Sequence, residues 1–384
     1  MGTKRRLAPH VLRILEDIPN GVAVDAFAGM CAIAEAVAPK RRLVCNDAQL
    51  FASEVARAFF TSLKPVPSYT RVVSLIAPVM RLHASNGDAQ IQKLLKREAT
   101  ALENNDWRTL DLVQDRIRRH NVSPKNIIAR NYAGVYFSLV QALELDMIRQ
   151  SIAHAVTCGA IDADEERWLL LAGAVALGKI STSTGHFAQP LGLSQQNGNR
   201  YMRQRRRSVA REFLNALSLC YPVGDAQWRK LNRVYYGDVA DLFRKLREAK
   251  IKPAVVYADP PYTDDQYSRY YHVYDTWLAY QQIEVIGKGR CPTKRFVSRF
   301  CHKREAVTAF QDLFANVANT GAAVVLSYPT KGLLHDIDVE PRELLRQFFK
   351  TVRLRQVVGM QHSTMGGSKG ESARPVTEVL YYAR

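Results

Sequence analysis

Cysteine is scarce and unpaired in this sequence: six residues, at positions 31, 45, 158, 220, 291 and 301, with no CxxC spacing among them. A disulfide framework is thereby excluded as the organising device, no metal site is read from the chain, and a reducing cytosol fits. Long apolar runs are lacking too. The longest, Trp168 to Gly178, is too short to cross a bilayer. The opening MGTKRR has neither the apolar stretch of a signal peptide nor the Ser or Thr of a myristoylation signal. The expectation is a soluble cytoplasmic protein with no membrane partner. Acidic residues are outnumbered: 36 Asp and Glu face 54 Lys and Arg, a net charge of +18. An excess of this size exceeds what solubility requires and points to a polyanionic partner, nucleic acid first. No internal repeat or low-complexity tract is present, so a solenoid is not expected.

What is present is enough apolar material, 47% of 384 residues, for one large domain or two ordinary ones. LAPHVLRILEDI has helical periodicity and is closed by Pro19-Asn20-Gly21. GVAVDAF reads as a short strand ending in Asp25, AGMCAIAEAVA as a glycine turn running into a helix, and RLVCND as a second strand ending in Asp47. Strand, glycine turn, helix, strand and acid open a doubly wound α/β sheet, which binds ligands at the carboxyl ends of its strands. From about Thr61 the pattern turns to charged and amphipathic helices, and β-α alternation resumes only near Leu231. Within that stretch, STSTGHFAQPLGLSQQNGNR reads as loop. It is followed by NRYMRQRRRSVAREF, with Arg200, Arg203, Arg207 and Arg211 at helical spacing and Arg205 and Arg206 beside them. Such an arginine face repels itself without an anionic partner. After Leu231, VYYGDVADLFRKL, AVVYADPPY and GAAVVLSYPTKG each begin with a strand, and Thr377 to Ala383 reads as the last strand.

ADPPY carries the chemistry. A strand ending in Asp259, followed by Pro260 and Pro261, exposes acceptors and loses two backbone N–H donors. The Asp259 carboxylate and the Pro260 carbonyl can accept both hydrogens of an exocyclic amine, and Tyr262 offers a face on which a base can lie. Four residues alone also suit a proline turn capped by an aspartate; the acids of the earlier strands and the basic charge shift the balance toward a nucleobase site.

In GTKRRLAPHV, VDAFAGMCAIAEA, VCNDAQ and ADPPYTDDQYSRYYHV the chain resembles the adenine-N6 DNA methyltransferases that use S-adenosylmethionine, in the order cofactor motif, recognition insertion, catalytic motif. The resemblance implies a Rossmann-like doubly wound sheet built from residues 1–60 and 231–384, with a mainly helical target-recognition insertion at 61–230. It implies a catalytic set of Asp259, Pro260, Pro261 and Tyr262. Lys4, Asp25, Phe27, Gly29, Asp47 and Asp238 would bind the cofactor, with Asp47 on the ribose and Asp238 on the adenine. Cys31 departs from the pattern, standing where the second glycine of the turn is expected. Gly185, His186, Arg200, Arg203, Arg205, Arg206, Arg207 and Arg269 are the candidate contacts to double-stranded DNA, and Gly287 to Phe300 is a second basic loop. HSTMGGSKGESARP, near the C-terminus, is either a loop over the site or a surface connection. N4-cytosine methylation, whose motif usually opens with Ser, is the alternative chemistry, and a DNA-binding regulator that has lost turnover is the alternative class. A homodimer is open to the chain through the apolar faces of its helices. A location on the nucleoid of a bacterium, within a restriction-modification system or as a solitary regulator, would follow.

Overall fold

In the computed structural model, residues 4–83, 88–194, 196–363 and 373–384 are described. The chain separates into two compact units: Met1–Leu63 with Pro222–Ser268 and Phe296–Arg384, and Lys64–Tyr221 with Arg269–Arg295. Residues 61–63 and 222–230 thus fall with the first unit, where the insertion was expected to span 61–230, and residues 269–295 with the second, where the catalytic part was expected to span 231–384.

The strands are β1 (Val22–Asp25), β2 (Leu43–Asp47), β3 (Arg233–Tyr236), β4 (Pro253–Ala258), a short antiparallel pair β5 (Val285–Ile286) and β6 (Cys291–Pro292), then β7 (Ala323–Pro329), β8 (Val352–Ser363) and β9 (Ala373–Ala383). All except β5 and β6 form one seven-stranded sheet in the order β3-β2-β1-β4-β7-β9-β8. The first five are parallel, while β9 runs antiparallel to both β7 and β8. The fold is α/β, as expected. The chain order reverses between β1 and β4, so the crevice beyond the carboxyl ends of these two strands is the topological switch point.

Local sequence explains the frame. All seven residues of β7 are buried, consistent with the uninterrupted apolar run that a strand covered on both faces requires. Val24, Val44, Val256 and Val324 stack across the sheet, and Phe310 and Phe314 of the helix Ala306–Thr320 cover them within the same core. Strand β8, with charged residues alternating through Val352–Gln356, was not among the expected strands.

The second unit is mainly helical. NRYMRQRRRSVAREF is not one helix, which corrects the expected continuous arginine face. A helix ends at Arg205, and a new one spans Val209–Leu217, started by Ser208, whose side chain accepts the N–H of Arg211. Trp277 lies over Gly173, where a Cβ would meet the indole at 2.1 Å, and its Nε1 donates to the Leu170 carbonyl at 2.8 Å. The small residue in an otherwise apolar helix therefore makes room for an indole. No helix among the described residues is long and apolar enough to cross a membrane.

Candidate active site

Three carboxylates come to the carboxyl edge of the parallel strands: Asp25 ends β1, Asp47 ends β2 and Asp259 directly follows β4. Asp25 is 4% exposed, and its Oδ1 has no hydrogen-bond partner among the described residues. Burial, with the charges of Asp259 and Asp47 behind it, pushes Asp25 up to about 8 against the N–H groups of Phe27 and Ala34. Burial likewise pushes Asp47 up to about 6, although backbone N–H groups of Gln49, Gly29 and Ala48 pull it down. Its Oδ2 accepts the Gly29 N–H and its Oδ1 the Gln49 N–H, both at 2.8 Å. Asp47 thus braces the glycine turn after β1 and the entry to the helix Leu50–Thr61.

The turn itself is constrained. Gly29 sits at φ +48° and Cys31 at φ +60°, both left-handed. Cys31 is fully buried and immediately precedes the helix Ala32–Val37. A non-glycine residue in this conformation costs about 1–2 kcal/mol. The turn therefore keeps its glycine geometry without its second glycine. Phe27 is held edge-on to Phe300, with ring centroids 5.3 Å apart. Asp238 caps the helix Val239–Glu248 by accepting the Ala240 N–H at 3.0 Å, and it borders a shallow cleft walled by Val239, Phe243, Phe300 and Leu313.

At the catalytic motif, Pro260 is buried while Asp259, Pro261 and Tyr262 keep part of their surface. Lys4 is the surprise. Its expected partner was the cofactor, yet its Nζ lies 3.0 Å from Asp259 Oδ1, 2.8 Å from Glu378 Oε1 and 3.3 Å from Ser327 Oγ, and 5.8 Å from the centre of the Tyr262 ring. Ser327 Oγ in turn donates to Glu378 Oε2 at 3.1 Å. Burial alone would lower the Lys4 ammonium, but the carboxylates of Asp259 and Glu378 overcome it and hold the group above its ordinary range. Glu378, on β9 and wholly buried, was not among the expected residues. Its one sequence signal is an acid inside the apolar run VTEVLYYA.

The remaining expected residues all belong to the helical unit, and they divide. Arg200, Arg203 and Arg206 are exposed, Arg207 and Arg269 are half-buried, and Gly185 is exposed at φ +106°. Arg205 is 1% exposed, donates to the Val135 carbonyl and the Tyr201 hydroxyl, and lies over the Tyr201 ring. It cannot reach a phosphate, which corrects that expectation: its charge is spent inside the unit, where it partly opposes the burial that pushes the Glu98 carboxyl up to about 7. Arg206 is partly committed as well, donating to the carbonyl of Leu102 and to Asn105 Oδ1. His186 is buried against Tyr270, ring centroids 4.7 Å apart, and accepts the Ala188 N–H through Nδ1. That bond ties the ring to its own loop. The glycine-rich segment from Thr364 to Ser372 lies outside the described residues, as do Gly2 and Thr3 of the N-terminal motif.

Residues 229–328, which hold β3, β4, the catalytic motif and most of β7, match the model of the D12 class N6 adenine-specific DNA methyltransferases. Over its whole length the chain is 23% identical to the modification methylase LlaI of Lactococcus lactis subsp. lactis and covers 54% of that protein. It is also 23% identical over its whole length to the modification methylase StsI of Streptococcus sanguinis, of which it covers 51%. With the type II methyltransferase M.FokI of Planomicrobium okeanokoites it shares 23% identity over 88% of the chain and 46% of the relative. The chain spans about half the length of these curated relatives. The chain is thus similar to the D12 class N6 adenine-specific DNA methyltransferases over residues 229–328, and to modification methylases over most or all of its length.

Proposed function

We propose that the protein transfers a methyl group from S-adenosylmethionine to N6 of an adenine at a specific site in double-stranded DNA. The observation that carries this reading is the position of Asp259-Pro260-Pro261-Tyr262 directly after β4, across the switch point from Asp25. The edge suits such a cofactor. Asp25 holds a buried carboxylate oxygen without a partner among the described residues, and the turn at Phe27 to Gly29 lies at the start of a helix. When bound, S-adenosylmethionine supplies a methyl group activated on a sulfonium. Asp25, Phe27 and Gly29 would hold its methionine end, Asp47 its ribose and Asp238 its adenine, the last beside the cleft at Phe243 and Phe300. Lys4 is assigned to Asp259 in place of the cofactor.

The chain's own residues supply position and charge. N6 lies inside the duplex, so the adenine must leave the stack. Its amine would donate to Asp259 and to the Pro260 carbonyl, and its ring would lie on Tyr262. Two acceptors set around the nitrogen draw its lone pair out of conjugation, and the proton need leave only after methylation, so Asp259 need not be a strong base. DNA affinity would come from the exposed arginines Arg200 and Arg203, with Arg206, Arg207 and Arg269 as further candidates, gripping phosphates.

Incubation of the protein with unmethylated DNA and methyl-labelled S-adenosylmethionine, followed by nucleoside chromatography, tests the reading. Label in 6-methyladenine is the expected result. Label in 4-methylcytosine would correct the base, and none, with cofactor and DNA bound, would favour the regulator.

A further inference from the structure

Glu378 has no part in the reading above, yet it is a wholly buried carboxylate at the edge of the catalytic motif. Buried carboxylates are retained when they are paired and hydrogen-bonded. Both oxygens of Glu378 are so engaged, one by the Lys4 ammonium and the other by the Ser327 hydroxyl. An ammonium has three protons, and Lys4 has three oxygens within reach: Asp259 Oδ1, Glu378 Oε1 and Ser327 Oγ. The side chain of Lys4 is therefore held in one place by a strand-borne pair, Ser327 on β7 and Glu378 on the neighbouring β9.

We propose that Glu378 is a positioning residue for methyl transfer: with Ser327 it pins the Lys4 ammonium against Asp259 Oδ1, and so fixes the orientation of the carboxylate that receives the adenine amine. The inference rests on the proposed function. Two effects follow from the geometry. The pinned ammonium stops the Asp259 carboxylate from rotating about its last bond. The negative charge of Glu378 offsets the positive charge of Lys4, so Asp259 stays an effective acceptor for the amine hydrogens instead of being saturated by its own ion pair. Glu378 touches neither base nor cofactor in this scheme and acts through Lys4 alone.

A double-mutant cycle over Glu378→Gln and Lys4→Met tests this. Glu378→Gln keeps the shape and removes the charge, while the combined variant removes both members of the buried Glu378–Lys4 pair. The measurements are kcat and the KM values for DNA and S-adenosylmethionine, thermal melting, and the titration of Lys4 by ¹⁵N NMR of its side chain, assigned with Lys4→Arg. Glu378→Gln should lower kcat about tenfold or more with both KM values within about twofold. The combined variant should be no slower than Lys4→Met alone, and the Lys4 midpoint should be lower in Glu378→Gln than in the wild type. Normal kcat in Glu378→Gln, losses that multiply in the combined variant, or an unmoved Lys4 titration would overturn the proposal while leaving methyl transfer by the wild type intact. Absence of methyl transfer by the wild type would sink the reading on which the proposal rests and the positioning role with it; the Lys4 titration would then report the ion network separately.

Discussion

Asp259 Oδ1 and Lys4 Nζ lie 3.0 Å apart, joining the first described residue of the chain to the end of β4. The pair makes Asp259 the most sensitive position in the site. Asp259→Ala should remove the amine acceptor and leave the Lys4 ammonium with Glu378 and Ser327 alone. Methyl transfer should fall by about 10³-fold or more, the scale of losing a central positioning group. Binding of S-adenosylmethionine by calorimetry should stay within a few-fold of wild type. Near-normal turnover in this variant would remove the basis of the proposed function.

A pH dependence follows from Asp25. Its folded-state value, about 8, is above the ordinary 3.8. The folded protein therefore keeps a proton that the unfolded chain releases. The contribution to stability is complete below about pH 4 and is lost as pH rises toward 8. Asp25→Asn, uncharged throughout, should melt higher than wild type at pH 8, by roughly several degrees, with the gap closing toward pH 4. The same variant should bind S-adenosylmethionine more weakly. Equal melting curves for the two proteins across this range would contradict the buried, partnerless oxygen.

Cys31 occupies a glycine conformation with a side chain that just fits. Cys31→Val puts a β-branched residue at φ +60° and adds volume to a fully buried spot. Left-handed backbone strain and overpacking should together cost roughly 2–4 kcal/mol. Chemical denaturation measures the loss, and cofactor affinity should fall with it because Gly29 shares the turn.

The arginines of the helical unit should separate into two kinds. Replacing Arg200 and Arg203 by Ala should weaken DNA binding with little change in melting temperature. It should also flatten the dependence of log affinity on log salt by up to about two phosphate contacts. Arg205→Met should do the reverse, destabilising the protein by roughly 3 kcal/mol, since Glu98 is left buried beside an apolar side chain. Filter binding at a series of salt concentrations, set against thermal melts of the same variants, resolves the two.

That division shows where the sequence is legible. The parallel strands β1, β2, β4 and β7 announce themselves by short β-branched runs ending in turns, because a buried strand has a one-dimensional signature, while β3, with no buried residue, is read from the Gly-Asp turn that follows it. The motif Asp259 to Tyr262 and the acids Asp25 and Asp47 follow from being at strand ends. Burial of a charged residue has no such signature. Arg205 stands among five other arginines, and only the Tyr201 ring, the Val135 carbonyl and Glu98, brought in by folding, distinguish it. Glu378 is hidden for the same reason, since its partner Lys4 stands at the other end of the chain. Strand β8 carries charges on alternate residues at a sheet edge and lacks the apolar run by which the central strands are found. The break between Arg205 and Val209 was readable in principle from Ser208, a strong helix starter placed inside an otherwise helical pattern.

The strand order also dictates a timetable. Strand β2 takes β3 as its neighbour, and β1 takes β4, although the entire helical unit up to Tyr221 is encoded between each pair. On the ribosome, β1 and β2 precede their partners, each with one unpaired row of backbone N–H and C=O groups, and must wait while more than a hundred residues are translated, roughly ten seconds or longer at 5–20 residues per second. By then Lys64–Tyr221 of the helical unit has been made, with only Arg269–Arg295 still to come. The nascent sheet is thus the vulnerable partner, and demand for a chaperone should concentrate on the interval before Arg233 leaves the exit tunnel.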